Sequence, residues 1–134
     1  MANNPYISDT AAEAAANAVT ALCNSGTITI WTGAQPTNAN TAVGAQTKLV
    51  TLTFGSTAFG AAAAGGVATA NAITSGTAGN SGTAAWFRVF ESNGSTVVFD
   101  GSVGTSGCDL NLNTTSITSG ANVSVTSFTY TQTE

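Results

Sequence analysis

The spacing of apolar and polar positions is helical near the N-terminus and becomes strand-like after Gly26. Residues 9–23 are rich in alanine, the strongest helix former, and predict the only helix of the chain. Thr10 and Glu13 have the spacing of a capping box at its start. An apolar stripe lies along one side of this helix, formed by Ala15, Ala18, Val19, Leu22 and Cys23. We expect this side to lie against a sheet or a neighbouring subunit.

From residue 27 onward, apolar residues alternate with polar ones, which is typical of half-buried strands. Residues 27–31 and 48–54 predict two strands, separated by a loop at 33–44 that contains Pro36. Further strands are predicted at residues 67–73, 84–91, 96–100, 109–112 and 123–131. Residues 55–66 and 75–82 are rich in small residues, and the second stretch predicts a loop.

The clearest local signal is a hairpin centred on Asn93 and Gly94. An Asn-Gly pair fits a two-residue type I′ turn because both residues accept a positive φ. This turn predicts the cross-strand pairs Phe90–Val97, Val89–Val98 and Arg88–Phe99. Both faces of the hairpin are substantially apolar, so we expect it to be covered on both sides.

About seven short strands separated by turn signals predict a mainly β protein, specifically an antiparallel, jelly-roll-like β-sandwich with one short N-terminal helix. The length of 134 residues suits one domain. We expect an N-terminal arm at residues 1–8 and a single β-sandwich domain at residues 9–134, which includes the helix at 9–23.

Charged residues are unusually rare, at 6% of the chain against about 25% in ordinary soluble domains. Such a neutral surface suits a protein that stays in contact with other protein; a monomer with an uncharged surface is the alternative. The net charge is −4, and the only cations are Lys48 and Arg88. Two cations argue against binding to nucleic acid or to an anionic membrane. The sequence also has neither a membrane-spanning stretch nor the pattern of a signal peptide.

Catalytic chemistry is poorly represented, because the chain contains no histidine. We therefore predict that the protein is not an enzyme and takes no cofactor. Glu91, Asp100 and Asp109 are the carboxylates available for glycoside hydrolysis, and the two aspartates could also bind calcium. We favour a structural role for them, accepting backbone N–H groups in a glycine-rich loop. Cys23 and Cys108 are expected to be free thiols, with a disulfide as the alternative.

Three large side chains have more than one interpretation. Arg88 either anchors a subunit interface or pairs locally with Glu91 or Asp109, or stacks on Trp86 or Phe99. Trp31 and Trp86 are expected in the core, although such residues also stack on sugar rings.

Three segments resemble small structural proteins of tailed bacteriophages. They are Thr27-Ile-Thr-Ile-Trp-Thr-Gly-Ala-Gln-Pro36, Gly82-Thr-Ala-Ala-Trp-Phe-Arg-Val-Phe90, and the stretch from Asp100-Gly-Ser-Val-Gly104 through Asp109-Leu-Asn-Leu112. The resemblance implies a virion protein, assembled in the host cytoplasm, that decorates the capsid exterior as a cement protein. It implies the major capsid protein and further copies of the chain, as a homotrimer or homodimer, as partners.

A cement protein acts through buried area rather than chemistry. The residues expected at its interfaces are Pro5, Tyr6, Ile7, Trp31, Trp86 and Arg88. Residues 1–7 are expected to act as an arm that reaches a neighbour. A tail, neck or baseplate component is the first alternative, and a carbohydrate-binding β-sandwich module is the second.

Overall fold

The computed structural model describes residues 4–133, so residues 1–3 of the predicted arm and residue 134 lie outside the described part. The described chain is mainly β with one helix, α1 (Asp9–Ala21), as predicted. Its strands are β1 (Thr27–Trp31), β2 (Lys48–Phe54), β3 (Val67–Thr69), β4 (Ile73–Thr74), β5 (Gly76–Thr77), β6 (Gly82–Thr83), β7 (Trp86–Phe90), β8 (Val97–Gly104), β9 (Leu110–Leu112), β10 (Ser116–Ile117), β11 (Asn122–Val123) and β12 (Val125–Thr131). Both β1 and β2 have the bounds that the alternating pattern predicts.

Eight strands form one curled sheet in the order β3-β12-β9-β8-β7-β1-β2-β4, and two small sheets pair β6 with β10 and β5 with β11. Neighbours in the large sheet are antiparallel except β8 and β9, which are parallel. The architecture is therefore a curled mixed sheet rather than a clean antiparallel sandwich. Parallel pairing after so short a connection is unusual. Here Asn111 holds the connecting loop, since its amide hydrogen-bonds the backbone N–H and C=O of Cys108.

The core fills the inside of the curl. Its centre is a group of aromatic rings in edge and stacked contacts, 4.9 to 6.1 Å apart, formed by Phe54, Phe59, Phe87, Phe99, Phe128 and Tyr130. Aliphatic side chains of β1, β2, β7 and β9 surround it. Burial of this apolar surface is the main stabilising contribution to the fold.

Helix α1 closes one end of the curl, where β1 starts and β2 and β12 finish. Near the N-terminus of the helix, Ala12 lies against Gly66, whose carbonyl accepts a hydrogen bond from Gln132 beyond β12. Beyond its C-terminus, Ser25 donates to the carbonyl of Gly55, just after β2. The small sheets and the loop after β1 lie towards the opposite end.

The helix differs from the prediction in its cap, its length and its buried side. Ser8, not Thr10, is the N-cap, and its hydroxyl accepts from the Ala11 N–H at 3.2 Å. The helix ends at Ala21, and Leu22 is 48% exposed. Of the predicted stripe, Cys23 just beyond the helix is buried and Ala15 and Val19 are half-buried, whereas Ala18 and Leu22 are exposed. The buried side of the helix contains Ala12, Ala16 and Thr20. Small side chains there let the helix backbone approach β3 closely, which a larger apolar stripe would prevent.

Three β-bulges change which side chains face the core. Leu49, Val98 and Thr126 each lack a partner residue in an antiparallel ladder. A bulge inserts one extra residue and shifts the inside-outside alternation beyond it. As a result Leu49 and Val50 are both buried, although they are adjacent and a regular strand would separate them. The bulge at Thr126 likewise lets Val125 and Phe128 both pack on the core.

The predicted hairpin exists, but its turn is longer than the type I′ turn. Gly94 has a positive φ of 75°, whereas Asn93 does not. Asn93 instead accepts hydrogen bonds from the N–H groups of Ser95 and Thr96 through its side-chain oxygen, each at 2.9 Å. Phe90 pairs with Val97 as predicted, and the bulge at Val98 then shifts the rest of the register.

Candidate functional site

The outer face of β1, β7 and β8 contains a continuous stack of two tryptophans, an arginine and an aspartate, which we call the outer ladder (Trp31, Trp86, Arg88, Asp100). The indole rings of Trp31 and Trp86 are stacked, with centroids 5.7 Å apart and an interplanar angle of 14°. The Arg88 guanidinium carbon lies 5.5 Å from the Trp86 ring centroid. Its Nε and Nη2 donate to the two Asp100 carboxylate oxygens at 2.7 and 2.8 Å.

Strand register builds the outer ladder. Trp31 lies opposite Trp86 across the β1–β7 pair, and Arg88 lies opposite Asp100 across the β7–β8 pair. The latter pairing corrects the expected neighbour Phe99, because the bulge at Val98 adds one residue to β8. It also corrects the expected local partners of Arg88, which were Glu91 or Asp109. Arg88 does stack on Trp86, which was one of the predicted alternatives.

Both indole N–H groups of the outer ladder have hydrogen-bond partners within the chain, in addition to the Arg88–Asp100 pair. Trp31 Nε1 donates to the Thr29 hydroxyl at 2.9 Å, and that hydroxyl donates to the carbonyl of Arg88 at 2.9 Å. Trp86 Nε1 donates to the carbonyl of Thr32 at 3.2 Å. The hydrogen bonds to Asp100 raise the pKa of Arg88 above its already high ordinary value. The outer ladder is therefore a rigid feature whose charges satisfy each other.

The predicted interface residues fall into two groups. Trp86 and Arg88 are only 1% and 3% exposed, so they lie within the chain itself and offer almost no surface to a partner. Trp31, packed on Trp86, is half-buried. The other three form an exposed stretch that, with its neighbours, we call the arm segment (residues 4–8). Within it Tyr6 is 78% and Ile7 38% exposed, and Pro5 is exposed as well.

A groove that sequence reasoning missed lies in the long connection between β1 and β2. This loop groove (residues 32–46) has a volume of about 580 Å³ and is lined by Thr32, Gly33, Ala34, Pro36, Thr37, Thr41, Ala42, Gly44, Ala45 and Gln46. Gln46 holds its walls together, donating to the Ala34 carbonyl at 2.6 Å and accepting from the Gly44 N–H at 2.9 Å. The sequence predicted only a loop that contains Pro and Asn. Nothing in its pattern predicted that the two walls of the groove would lie opposite each other.

Two of the three candidate carboxylates, Asp100 and Asp109, have structural partners, but only Asp109 accepts a backbone N–H as predicted. Asp109 accepts from the backbone N–H and the hydroxyl of Ser102 at 3.0 and 2.9 Å, which confirms the predicted role in a glycine-rich loop. Asp100 is held by Arg88. Both aspartates border a cleft of about 170 Å³ beside Tyr130. Within residues 4–133, no group of three or more His, Cys, Asp or Glu side chains is placed to hold a metal ion.

The two cysteines are free. Cys23 is buried below the end of the helix, and its burial, assisted by the charge of Glu91, raises the pKa of its thiol to about 12. Cys108 is partly exposed. In the described part of the chain no helix is long and apolar enough to span a bilayer.

Comparison with protein-family models, with curated proteins and with solved structures finds no match to this chain.

Proposed function

We propose that this chain is a structural protein of a tailed-phage virion, which binds the outer surface of the capsid as a cement protein and bridges neighbouring capsomers. The observation that carries the proposal is the near absence of ionic groups from the exterior. One of the two cations is sequestered in the outer ladder with Asp100, which leaves Lys48 as the only other basic side chain. A surface with so little charge repulsion favours association with other protein.

The placement of the apolar side chains supports the same role. Pro5, Tyr6 and Ile7 are exposed in a segment outside the sheet, where they are available to a neighbouring protein. Aromatic residues are enriched at the centres of protein interfaces. Repetition of a modest contact around a capsid strengthens attachment through multivalency. We place the protein on the capsid exterior, with the major capsid protein and further copies of itself as partners.

The carbohydrate-binding alternative is less well supported, because it requires an exposed aromatic platform. The structure buries Trp86 and stacks the half-buried Trp31 on it. A role in the tail, neck or baseplate uses the same neutral surface, so the two virion roles are separated by experiment.

Capsids assembled without this chain provide the test. Adding the purified chain should raise the temperature at which the shells open, whereas adding it to isolated tails should produce no stable complex. Replacing both Tyr6 and Ile7 by alanine should reduce this protection, and Leu22→Ala, which removes an exposed apolar side chain elsewhere, should not. Shells that open at an unchanged temperature, together with binding to tails, would favour the tail, neck or baseplate role.

A further inference from the structure

The arm segment and the loop groove lie at opposite ends of the strands. The arm segment leads into α1, which closes the end of the curl where β1 begins. The loop groove starts at Thr32, directly after the last residue of β1. A contact between the arm of one copy and the groove of another therefore runs from head to tail.

We propose that the loop groove is the docking site for the arm segment of a second copy of this chain. The inference deepens the proposed function, since it assigns the surface through which copies associate with each other. The segment that docks is the exposed stretch of residues 4–8.

The chemistry of the two surfaces agrees. Neither the arm segment nor the groove lining contains a charged residue, so docking leaves no charge unpaired. The groove is an open depression of about 580 Å³, lined mostly by small apolar and threonine side chains. It is large enough to receive the side chains of Tyr6 and Ile7.

The charges that flank the two surfaces are complementary. Asp9, exposed in the first turn of the helix, follows Ile7 by two residues. Lys48, exposed at the start of β2, follows the groove residue Gln46 by two residues and forms no ion pair within residues 4–133. With the arm seated in the groove, the acid of one copy approaches the free cation of the next.

A single arm buries much less than the ~1,600 Å² of a standard interface, so one contact is weak. Head-to-tail contacts repeat, however, and produce a closed ring when the rotation between copies allows it. Ring closure or attachment to a capsid then strengthens each contact through effective concentration. Association in dilute solution should consequently depend on protein concentration.

The test uses two variants of the full chain. The arm variant carries Tyr6→Ala and Ile7→Ala, and the groove variant carries Ala42→Trp, which fills the groove from an exposed position. The average mass of the wild type, measured by analytical ultracentrifugation, should rise with concentration, while each variant alone stays at the mass of one chain. Leu22→Ala is the matched control and should behave as the wild type. Circular dichroism and melting curves confirm that both variants fold.

Mixing the two variants gives the decisive result. Each mixture offers one intact groove and one intact arm, so the inference predicts a one-to-one complex of the two variants that grows no further. A wild type that stays at the mass of one chain at all concentrations would overturn the inference, as would variants that associate normally. Either result leaves the cement role intact if the chain still protects capsids. Head-to-tail complexes that ignore capsids would instead refute the cement role alone.

Discussion

Arg88 lies directly opposite Asp100 on the neighbouring strand and binds both of its carboxylate oxygens, at 2.7 and 2.8 Å. Both side chains are almost completely buried on what is formally the outer face of the sheet. The pair depends on the bulge at Val98, because without that extra residue Arg88 would face Phe99. The Arg88–Asp100 pair buries one of the two cations of the chain, so that this charge is not available to a partner protein.

Removing one member of this pair should destabilise the fold severely. Asp100→Asn leaves a buried guanidinium without its counter-charge, a change that typically costs about 3–5 kcal/mol. Replacing both residues, as Arg88→Met with Asp100→Leu, should recover most of that loss. Urea denaturation of the three proteins measures the effect.

Glu91→Gln is the matched control, since it makes the same type of change at a partly exposed acid of the same hairpin. It should alter the free energy of unfolding by no more than about 0.5 kcal/mol. An Asp100→Asn protein as stable as this control would show that the ion pair does not hold β7 to β8.

The thiol of Cys23 should make stability depend on alkaline pH. Its pKa is raised by burial to about 12 in the folded chain, against about 9 without burial. The folded state therefore holds the proton more tightly, so this contribution is complete below about pH 9 and is lost as the pH rises towards 12. Burial also raises the pKa of Tyr130, which acts in the same direction.

We expect the free energy of unfolding to fall as the pH rises from about 9 towards about 12, and to fall less in Cys23→Ala. Tyr130 is present in both proteins, but the charge of Cys23 contributes to its raised pKa, so the difference between them reports the thiol together with its effect on Tyr130. Labelling with a thiol reagent at neutral pH provides a second readout, in which Cys108 reacts in the folded protein and Cys23 only on unfolding. Equal slopes with pH in both proteins would refute the assignment.

Two neighbouring glycines test how closely α1 approaches the sheet. Gly65 and Gly66 have positive φ values of 82° and 72°, so alanine at either position strains the backbone by roughly 1–2 kcal/mol. A Cβ at Gly66 would also lie 2.9 Å from the Gln132 Cβ and 3.1 Å from the Ala12 carbonyl oxygen, whereas a Cβ at Gly65 meets nothing within 4 Å.

Gly66→Ala should therefore lower the free energy of unfolding by about 1–3 kcal/mol more than Gly65→Ala does, because overpacking adds to the strain. Thermal or urea unfolding of the two variants gives the difference directly. If both variants lose the same amount of stability, Ala12 of the helix and Gln132 after β12 do not pack against this turn as tightly as described.

The sequence was sufficient for elements that depend on local pattern. Alternation located β1 and β2 to the residue, and the alanine-rich stretch located the helix. The bulges at Leu49, Val98 and Thr126 were not predictable in this way, because an extra residue in a ladder depends on how the partner strand packs. Each bulge moved side chains to the other face of the sheet. The predicted partner of Arg88 was therefore wrong, although the predicted pair Phe90–Val97 was confirmed.

In the candidate site, too, some features follow from the local sequence pattern and others depend on the three-dimensional packing. Pro5, Tyr6 and Ile7 are exposed, which agrees with their position before the N-cap of the helix. The sequence marks this position because the helical pattern begins just after it. The burial of Trp86 and Arg88 was one of two interpretations, and only the three-dimensional register decided between them. The loop groove depends on Gln46 reaching across to Ala34, a contact between residues twelve positions apart that has no periodic signal.

We propose that the neutral exterior of this chain binds other protein of a virion. Co-sedimentation with expanded capsids that lack the chain measures this binding and its stoichiometry. We expect binding to saturate at a fixed whole number of copies per capsomer. Chains that remain in the supernatant as single copies at every concentration, with capsids that carry none, would contradict it.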